Sequence, residues 1–333
     1  MKVADWAGNE GRLMDAIVIE QFGDASVLQW KQRETPQPSP DQLSIKVSVT
    51  SVNFADTIWR KGRPGAKLPF TPGLDCSGTV LAVGANVRNF RVGQRVAAFV
   101  DGGSYGEVAL ARPVLSYAIP DGVSDEDACG LVVLVTARNI LKLAGQMVAG
   151  ETVLVHAAAG GVGSVALQLA RQFGAKKIIA TVGDMAKANY ARECGADVVL
   201  SASDFAQGTK DATGGVGVDV ILDSVAGAGF PMSMEVLAPF GRYVNYGNAG
   251  GAPGTAKTSE LHANNRAVIG YSSGHYRANR PEALRSAVEE TYRAIADKKL
   301  KVLVSKTYPM KEAAEAHRFI ESRKSFGKIL LKP

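Results

Sequence analysis

The stretch that decides the fold is ETVLVHAAAGGVGSVALQLARQFG, residues 151–174. It opens with Thr152–Val155, a β-branched and leucine-containing run that is typical of a buried parallel strand. Small residues follow at 157–163, and apolar residues then recur as they do on one face of a helix. We therefore predict a strand, a tight turn and a helix, which is the unit from which doubly wound parallel sheets are built.

The turn in this unit has the spacing of a dinucleotide-binding loop. On the pattern G-x-G-x-x-G, the three positions fall on Ala158, Gly160 and Gly163, so alanine replaces the first glycine. Small residues let the backbone turn tightly and let main-chain N–H groups approach a pyrophosphate. An ordinary strand–helix turn can also be glycine-rich, but the strand before and the helix after supply the context that the motif requires.

Length and composition narrow the class of protein. The chain has 333 residues, of which 46% are hydrophobic and 21% are charged, and these values predict a soluble globular protein with two domains. We find no apolar run of the ~20 residues that a membrane helix needs and no apolar core of a secretory signal at the start. The net charge of +6 is carried by scattered residues, which does not favour nucleic-acid binding.

The cysteines indicate a reducing, cytoplasmic setting. Cys76, Cys129 and Cys194 are odd in number and widely separated, so a disulfide framework is not expected. They also lack the spacing of zinc ligands, and we predict no metal site.

The pattern before and after the central unit predicts a second kind of domain. Short alternating strands separated by turn residues indicate a barrel-like, largely antiparallel β domain; they are expected at 16–19, 27–30, 43–49, 78–84, 94–99 and 105–110. A helix is predicted at 125–142. Six strands then predict the doubly wound sheet, at 152–156, 177–182, 197–200, 218–223, 241–246 and 266–271. The chain then returns to the first domain with helices at 281–298 and 311–323 and strands at 301–305 and 327–332.

The order of several motifs resembles that of the medium-chain dehydrogenase/reductase superfamily, and within it the zeta-crystallin-type quinone oxidoreductases. The resemblance covers residues 14–333 and is carried by AIVIEQFGDASVLQW from residue 16, VNFADTIWRKG (52–62), PGLDCSGTV (72–80), VGQRVAAF (92–99), VHAAAGGVG (155–163), VDVILDSVAG (218–227), GRYVNYGNAGG (241–251) and SRKSFGKILL (322–331). It implies an α/β fold in which a Rossmann doubly wound parallel sheet (136–274) is joined to a GroES-like β-barrel catalytic domain (14–135 and 275–333). Residues 1–13 are expected to be an N-terminal extension.

The resemblance implies a metal-independent, NADPH-dependent reductase that passes a hydride from nicotinamide to a quinone. An activated alkene, such as an enone or enoyl thioester, is the alternative acceptor. A cofactor-binding protein with an RNA-binding or structural role is the alternative of another class. Relatives that use zinc carry Cys and His where this chain has Asn53 and Leu74. The family also implies a homodimer, with the sixth strand, 266–271, as a candidate edge for the interface.

The resemblance also assigns the cofactor site. The implied cofactor-binding residues are Thr136, Gly160, Gly161, Val162, Gly183, Lys187, Ser224, Tyr246, Gly247, Asn248 and Arg323. Gly183 stands where an acid that selects NAD often falls, whereas Lys187 and Arg323 match residues that contact the 2′-phosphate of NADPH. Asp184 either caps the following helical turn or repels the phosphate and permits NADH; a cap is favoured because Asp is a preferred cap residue.

The implied catalytic residues are Asn53, Asp56 and Thr136. Asn53 is expected to face the nicotinamide and the acceptor, whereas Asp56 could serve only to brace its loop. Two departures from the family pattern, Leu134 and Asp75, leave the acceptor open. No histidine is predicted to be catalytic: His156 is expected to bond to backbone, and His262, His275 and His317 have no paired Ser or acid at useful spacing. Their absence from the chemistry suits a hydride transfer, in which proximity supplies most of the rate.

Overall fold

The structure, a computed structural model, describes residues 11–63 and 65–333. Most of the predicted N-terminal extension, residues 1–13, lies outside the described residues. The chain divides into two compact units. The first unit runs to Val132 and resumes at Tyr276–Pro333, and the second unit is Val133–His275. Among the helices of the described ranges, we find none that is both long enough and apolar enough to cross a membrane.

The strands are numbered in chain order. Those of the first unit are β1 (Leu13–Val18), β2 (Gln29–Glu34), β3 (Leu43–Val52), β4 (Asp75–Val83), β5 (Arg95–Phe99), β6 (Val108–Ala111), β7 (Ser116–Ala118), β14 (Val304–Pro309) and β15 (Lys328–Lys332). Those of the second unit are β8 (Thr152–Val155), β9 (Lys177–Val182), β10 (Val198–Ser201), β11 (Val218–Asp223), β12 (Leu237–Asn245) and β13 (Ala267–Gly270).

The helices are numbered in the same way. They are α1 (Phe54–Arg60), α2 (Asp125–Ala128), α3 (Leu131–Asn139), α4 (Gly161–Gln172), α5 (Ala188–Glu193), α6 (Ala206–Thr213), α7 (Phe230–Val236), α8 (Thr258–Asn264), α9 (Ser273–Asn279), α10 (Arg285–Ala296) and α11 (Ala313–Glu321). The limits between the two units fall inside α3 and α9.

The first unit is the predicted, largely antiparallel β domain. Its main sheet has the order β14–β15–β3–β4–β5–β7, with β6 also paired to β3, and β1 and β2 form a separate antiparallel pair. Among the neighbouring pairs of the described strands of this first unit, only β14 and β15 are parallel. Leu43, Ile45 and Val47 of β3 are buried in one hydrophobic core with Ile329 and Leu331 of β15. Each such side chain contributes roughly 1.5–3 kcal/mol by leaving water.

Three local predictions in this unit were wrong. Residues 27 and 28 do not begin a strand, because Asp24 accepts a hydrogen bond from the Ser26 N–H (2.8 Å) and starts a 3₁₀ turn instead. The strand predicted at 301–305 is β14, at Val304–Pro309, where it pairs with β15.

The third prediction, a single helix at 125–142, is interrupted. The structure has α2, then α3, then a π-helical segment at Ile140–Ala144. Asp75 Oδ2 accepts a hydrogen bond from the backbone N–H of Val132 (2.9 Å), so a carboxylate from β4 caps the first turn of α3. A capping residue that is 57 positions away in the sequence could not be seen from the local pattern.

The second unit confirms the doubly wound sheet. Its six strands have the order β10–β9–β8–β11–β12–β13, and all neighbouring pairs are parallel. The order reverses between β8 and β11, and ligands of such folds bind beyond the carboxyl ends of the strands at this switch point. Leu154 and Ile179 lie in the core with Ile221 and Tyr243.

Helix α4 begins at Gly161, within the segment 157–163 that was predicted as the turn. Gly160 occupies the N-cap position, and the buried face of the helix includes Val165, Leu167 and Leu169. A Cβ atom at Gly163 would lie 2.6 Å from the backbone oxygen of Ala157. Only glycine therefore lets α4 approach the turn after β8 this closely.

Candidate functional site

The candidate site in the second unit lies at the carboxyl edge of the parallel sheet. The loops that follow β11 and β12 are bonded to each other there: Ala249 N–H donates to Ser224 O and Gly250 N–H donates to Val225 O, both at 2.9 Å. A Cβ atom at Gly247 would lie 3.0 Å from Ser224 O. The structure thus brings Ser224 together with the predicted segment Tyr246–Asn248.

A buried carboxylate that the sequence analysis did not single out holds the first of these loops. Asp223, the last residue of β11, accepts hydrogen bonds from the N–H groups of Val225 (2.6 Å) and Ala226 (3.1 Å) and from the hydroxyl of Tyr243. These bonds hold Ala226 at a positive φ of 56° with ψ of −137°, a backbone conformation that residues other than glycine rarely adopt. An acid at the last position of a buried strand is the sequence signal that could have identified this role.

The start of α4 has the features of an anion site. The first N–H groups of an α-helix have no acceptor within the helix, and they carry the positive end of its dipole. At α4 the N-cap is glycine, no side chain caps the turn, and the first turn contains no acid. The N–H of Gly160 is bonded to Ala157 O (2.9 Å), so Gly161 and Val162 are the predicted loop residues that present backbone donors without a competing carboxylate, which fits a pyrophosphate.

The end of β9 carries the residues predicted to select the cofactor. Asp184 Oδ1 accepts a hydrogen bond from Ala186 N–H (2.9 Å) and caps the 3₁₀ turn Met185–Lys187, which confirms the predicted cap. Lys187 is half-buried, and this burial lowers the pKa of its ammonium group, while the charge of Asp184 opposes the change. A Cβ atom at Gly183 would meet nothing within 4 Å, so there is open space beside it.

The prediction for His156 was wrong about its partners. Its ring is buried and bonds to two hydroxyl groups, Nδ1 to Thr181 Oγ1 (2.8 Å) and Nε2 to Ser233 Oγ (2.9 Å), rather than to backbone. Burial lowers the pKa of the imidazole, so the histidine is a neutral part of the core.

The candidate site in the first unit is a buried polar cluster at the start of α1. Asn53 is 7% exposed, and its Nδ2 donates to Ser51 Oγ (3.0 Å) and Asp75 Oδ1 (3.3 Å). Asp56 Oδ2 accepts the backbone N–H of Asn53 (2.8 Å), so the two predicted residues of the VNxxD segment are bonded directly. Asp75 also accepts the hydroxyl of Ser51, and this aspartate therefore connects β3, β4 and α3.

The cluster holds a carboxyl group that titrates near neutrality. Burial raises the pKa of Asp56 to about 7, and the nearby charge of Asp75 acts in the same direction. The bond from Asn53 N–H and the charge of Arg277 oppose this rise in pKa.

A buried chain of polar side chains adjoins this cluster, and the sequence analysis missed it. The hydroxyl of Tyr105 lies 3.5 Å from Asp56 Oδ2 and 3.1 Å from Nε2 of His317. On the other side of the ring, Nδ1 of His317 lies 3.1 Å from NH1 of Arg60, whose NH2 donates to both carboxylate oxygens of Glu321 (2.8 and 3.0 Å).

The signal for this chain was present in the helical spacing. Ala313, Ala316 and His317 share the buried face of α11, and Arg60 is on the buried face of α1. A charged or titratable residue at an apolar position of an amphipathic helix indicates a buried partner, because an unpaired buried charge is too costly. Its partner could not be named from the sequence.

The remaining predicted residues are divided between the two units. Thr136 is buried in α3, in the second unit. Arg323 is an exposed residue of the first unit, in the turn after α11, with φ of 60°. Cys76, Cys129 and Cys194 are buried free thiols. Within residues 11–63 and 65–333, no group of three or more His, Cys, Asp or Glu side chains could hold a metal ion.

Two features define the class of two-domain dehydrogenases and reductases. They are a doubly wound unit in which helix α4 begins at glycine residues, and an antiparallel β unit. Sequence profiles support both parts: the family described as "Alcohol dehydrogenase GroES-like domain" matches residues 39–144, and the family described as "Zinc-binding dehydrogenase" matches residues 161–289.

Individual relatives narrow the class. A probable quinone oxidoreductase of Schizosaccharomyces pombe is 33% identical over 95% of this chain and 96% of its own. A 2-haloacrylate reductase of a Burkholderia species is 32% identical over 96% and 98%. The crystal structure of Escherichia coli quinone oxidoreductase complexed with NADPH has a TM-score of 0.88 and 32% identity, covering 96% of this chain and all of that one. The chain belongs to the quinone oxidoreductase family of the medium-chain dehydrogenase/reductase superfamily.

Proposed function

We propose that this protein is an NADPH-dependent quinone reductase that works without a metal ion. The observation that carries the proposal is the start of α4, where the backbone donors of Gly161 and Val162 follow β8 with no acid in the first turn. When bound, NADPH supplies the hydride. The family relationship supports a quinone as the acceptor.

The second unit would hold the cofactor. Gly160, Gly161 and Val162 would bind the pyrophosphate, and Lys187 would bind the 2′-phosphate, because a phosphate dianion pairs with an ammonium group. The cap made by Asp184 supports this assignment, since its Oδ1 is engaged with Ala186 N–H. Ser224, Tyr246, Gly247 and Asn248 would line the nicotinamide side of the edge. Gly183 and Thr136 belong to the same unit, and Arg323, a residue of the first unit, completes the proposed set.

The first unit would orient the acceptor. Asn53 is held by Ser51 and Asp75, and Asp56 holds its backbone. Such fixed polar groups accelerate hydride transfer chiefly by keeping the reacting atoms close and aligned. The proton that completes the reduction would come from water.

The test is the oxidation of NADPH and of NADH with a panel of acceptors. The panel contains an ortho-quinone, a para-quinone, a simple enone and, in the reverse direction, an alcohol with added zinc. We expect quinone-dependent oxidation of NADPH that a chelator does not change. Equal use of NADH would overturn the assignment of Lys187, and a rate that depends on zinc would overturn the metal-independent mechanism.

An activated-alkene reductase is the second candidate, and the similarity to the 2-haloacrylate reductase favours it. Faster turnover of the enone than of both quinones would establish it. If NADPH binds but no acceptor is reduced, a cofactor-binding protein with an RNA-binding or structural role becomes the better interpretation. A salt-dependent gel shift with RNA would test the RNA-binding role.

We also propose a cytoplasmic homodimer that pairs through β13. This strand is at the edge of the second unit's sheet, where unpaired backbone groups can bond to another strand. Light scattering of the purified protein tests the proposal: a dimer that Val268→Lys converts to a monomer is expected, whereas a monomeric wild type would refute it. Val268 is 39% exposed, so the change should not disturb the core.

A further inference from the structure

The chain of side chains next to Asp56 has a defined direction. Arginine is only a donor, so Arg60 NH1 donates to Nδ1 of His317. Burial, together with the charge of Arg60, lowers the pKa of His317 to about 3, so the ring is neutral and its hydrogen is on Nε2. That hydrogen is then donated to the Tyr105 oxygen, and the Tyr105 hydroxyl hydrogen is directed to Asp56 Oδ2.

The neutral histidine therefore sets the orientation of the tyrosine. With Nε2–H pointing at its oxygen, the Tyr105 hydroxyl cannot donate to His317, and the carboxylate of Asp56 is its acceptor. Asp56 Oδ2 in turn accepts the backbone N–H of Asn53 (2.8 Å). Three separate parts of the first unit, α11, the segment before β6 and the start of α1, are joined by these bonds.

The groups that surround this chain are consistent with that direction. Arg60, Glu321 and Tyr105 face His317, and the arginine has its charge neutralised by the bidentate bond to Glu321. Asp75, Arg277 and Tyr105 face Asp56. Among the hydrogen bonds of the described residues, Tyr105 is the group that links His317 to Asp56, and no second base lies between them.

We propose that His317 is a positioning residue of the reductase: through Tyr105 it holds the carboxylate of Asp56, and through Asp56 it holds Asn53. The proposal rests on the proposed function in placing Asn53 and Asp56 in the acceptor site. Its new content is that a residue of the C-terminal helix α11, 261 positions from Asp56 in the sequence, controls that carboxylate.

The decisive variant is Tyr105→Phe, which removes the link and keeps the ring. A hydrogen bond to a carboxylate favours its charged form, so its loss should raise the pKa of Asp56 by about half a unit to one unit. The pH profile of kcat/KM should move to higher pH by the same amount, and kcat/KM near neutrality should fall about two- to fivefold.

The matched control is Tyr292→Phe. Tyr292 is also buried in the first unit, and its hydroxyl donates a hydrogen bond to Ala128 O (2.9 Å). Neither residue belongs to the series of bonded side chains that links His317 to Asp56. We expect this variant to leave the pH profile of kcat/KM unchanged. A purely structural role for Tyr105 would give the two variants the same profile.

A second pair of variants addresses His317 directly. His317→Gln retains an amide N–H that can reach the tyrosine oxygen, whereas His317→Leu does not, so the pH profile should be close to wild type in the first and shifted in the second. If His317→Leu does not fold, the comparison of Tyr105→Phe with Tyr292→Phe still tests whether Tyr105 links His317 to Asp56.

A second readout separates this proposal from the proposed function. The Asp56 carboxyl can be titrated by ¹³C NMR, with its signal assigned by Asp56→Asn, and this needs no turnover. A wild type that reduces no acceptor would overturn the proposed function, and the NMR midpoint of Tyr105→Phe would still test the chain. A wild type that is active, with an unshifted NMR midpoint or an unshifted kcat/KM profile in Tyr105→Phe, would overturn the positioning role alone.

Discussion

The two candidate sites of this protein use opposite means to hold their ligand groups. In the second unit the site is made of backbone: the start of α4, the loop after β11 and the loop after β12, with glycine where the chain passes close to itself. In the first unit the site is made of buried side chains that bond to one another, from Ser51 and Asn53 to His317 and Arg60. The first kind of site should be sensitive to added volume, and the second to a change of polarity or charge.

The largest effect is expected where a buried charge loses its partners. Arg60 is fully buried and donates to Gly23 O, to His317 and to Glu321. We expect Arg60→Met to lower the free energy of unfolding by about 4 kcal/mol, because it leaves the buried His317 nitrogen and the half-buried oxygens of Gly23 and Glu321 without this donor. Urea denaturation measures this difference.

The control lies one residue further on. Lys61 binds the same oxygen of Glu321 at 2.6 Å but is 57% exposed. We expect Lys61→Met to cost less than about 1 kcal/mol, since exposed ion pairs are weak. Equal losses in the two variants would show that burial does not decide the energetics of the polar chain.

The second-largest effect tests the backbone site. Gly163→Ala should lower the free energy of unfolding by about 2–3 kcal/mol, because the new Cβ atom would lie 2.6 Å from Ala157 O and from Ala158 Cα. In the matched variant, Gly229→Ala, the Cβ atom meets nothing within 4 Å, so the change should be below about 1 kcal/mol. Thermal unfolding of both variants checks the prediction, and a fully stable Gly163→Ala would contradict it.

The third prediction concerns the stability of the folded protein at acidic pH. The pKa of His317 is about 3 in the folded protein against 6.5 ordinarily. Between these values the unfolded state binds a proton that the folded state does not, so stability is lost as the pH falls below 6.5. From pH 6.5 to about pH 5 the loss is about 2 kcal/mol.

The contribution of Asp56 to stability depends on pH in the opposite direction. Its folded pKa of about 7 exceeds the ordinary 3.8, so its contribution to stability is present at low pH and is lost as the pH rises toward 7. Over the same interval the two groups nearly cancel in the wild type. His317→Gln removes only one of them, so its stability should rise by about 2 kcal/mol relative to the wild type as the pH falls to about 5. Urea denaturation at both pH values measures this, and parallel pH dependences would refute it.

The smallest effect concerns the cofactor. Lys187→Gln should raise the KM for NADPH about tenfold and leave the KM for NADH unchanged, because the 2′-phosphate is the only difference between them. Lys176→Gln, an exposed lysine of the same unit, should change neither value. A similar rise for both cofactors would show that Lys187 acts on the fold rather than on the phosphate.

The sequence predicted the second unit better than the first. Alternating strands and helices, and glycines at Gly160 and Gly163, are short-range patterns that determine a parallel sheet and the loop at its edge. All six strands and the cap at Asp184 were therefore predicted, although β12 begins at Leu237 rather than at the predicted residue 241. In the first unit the β class was right, but the break in the helix at 125–142 was missed, because it depends on Asp75 in β4.

What the sequence by itself determined is the set of elements and the family, since periodicity, turn residues and motif order are properties of neighbouring positions. Only the tertiary structure decided which polar groups meet. Arg60 and His317 are 257 positions apart and His156 and Ser233 are 77 apart, and no local pattern carries the identity of such partners. A polar residue at a buried position indicates that it has a partner, because burying an unpaired polar group costs too much free energy. Only the fold determines the atom with which it pairs.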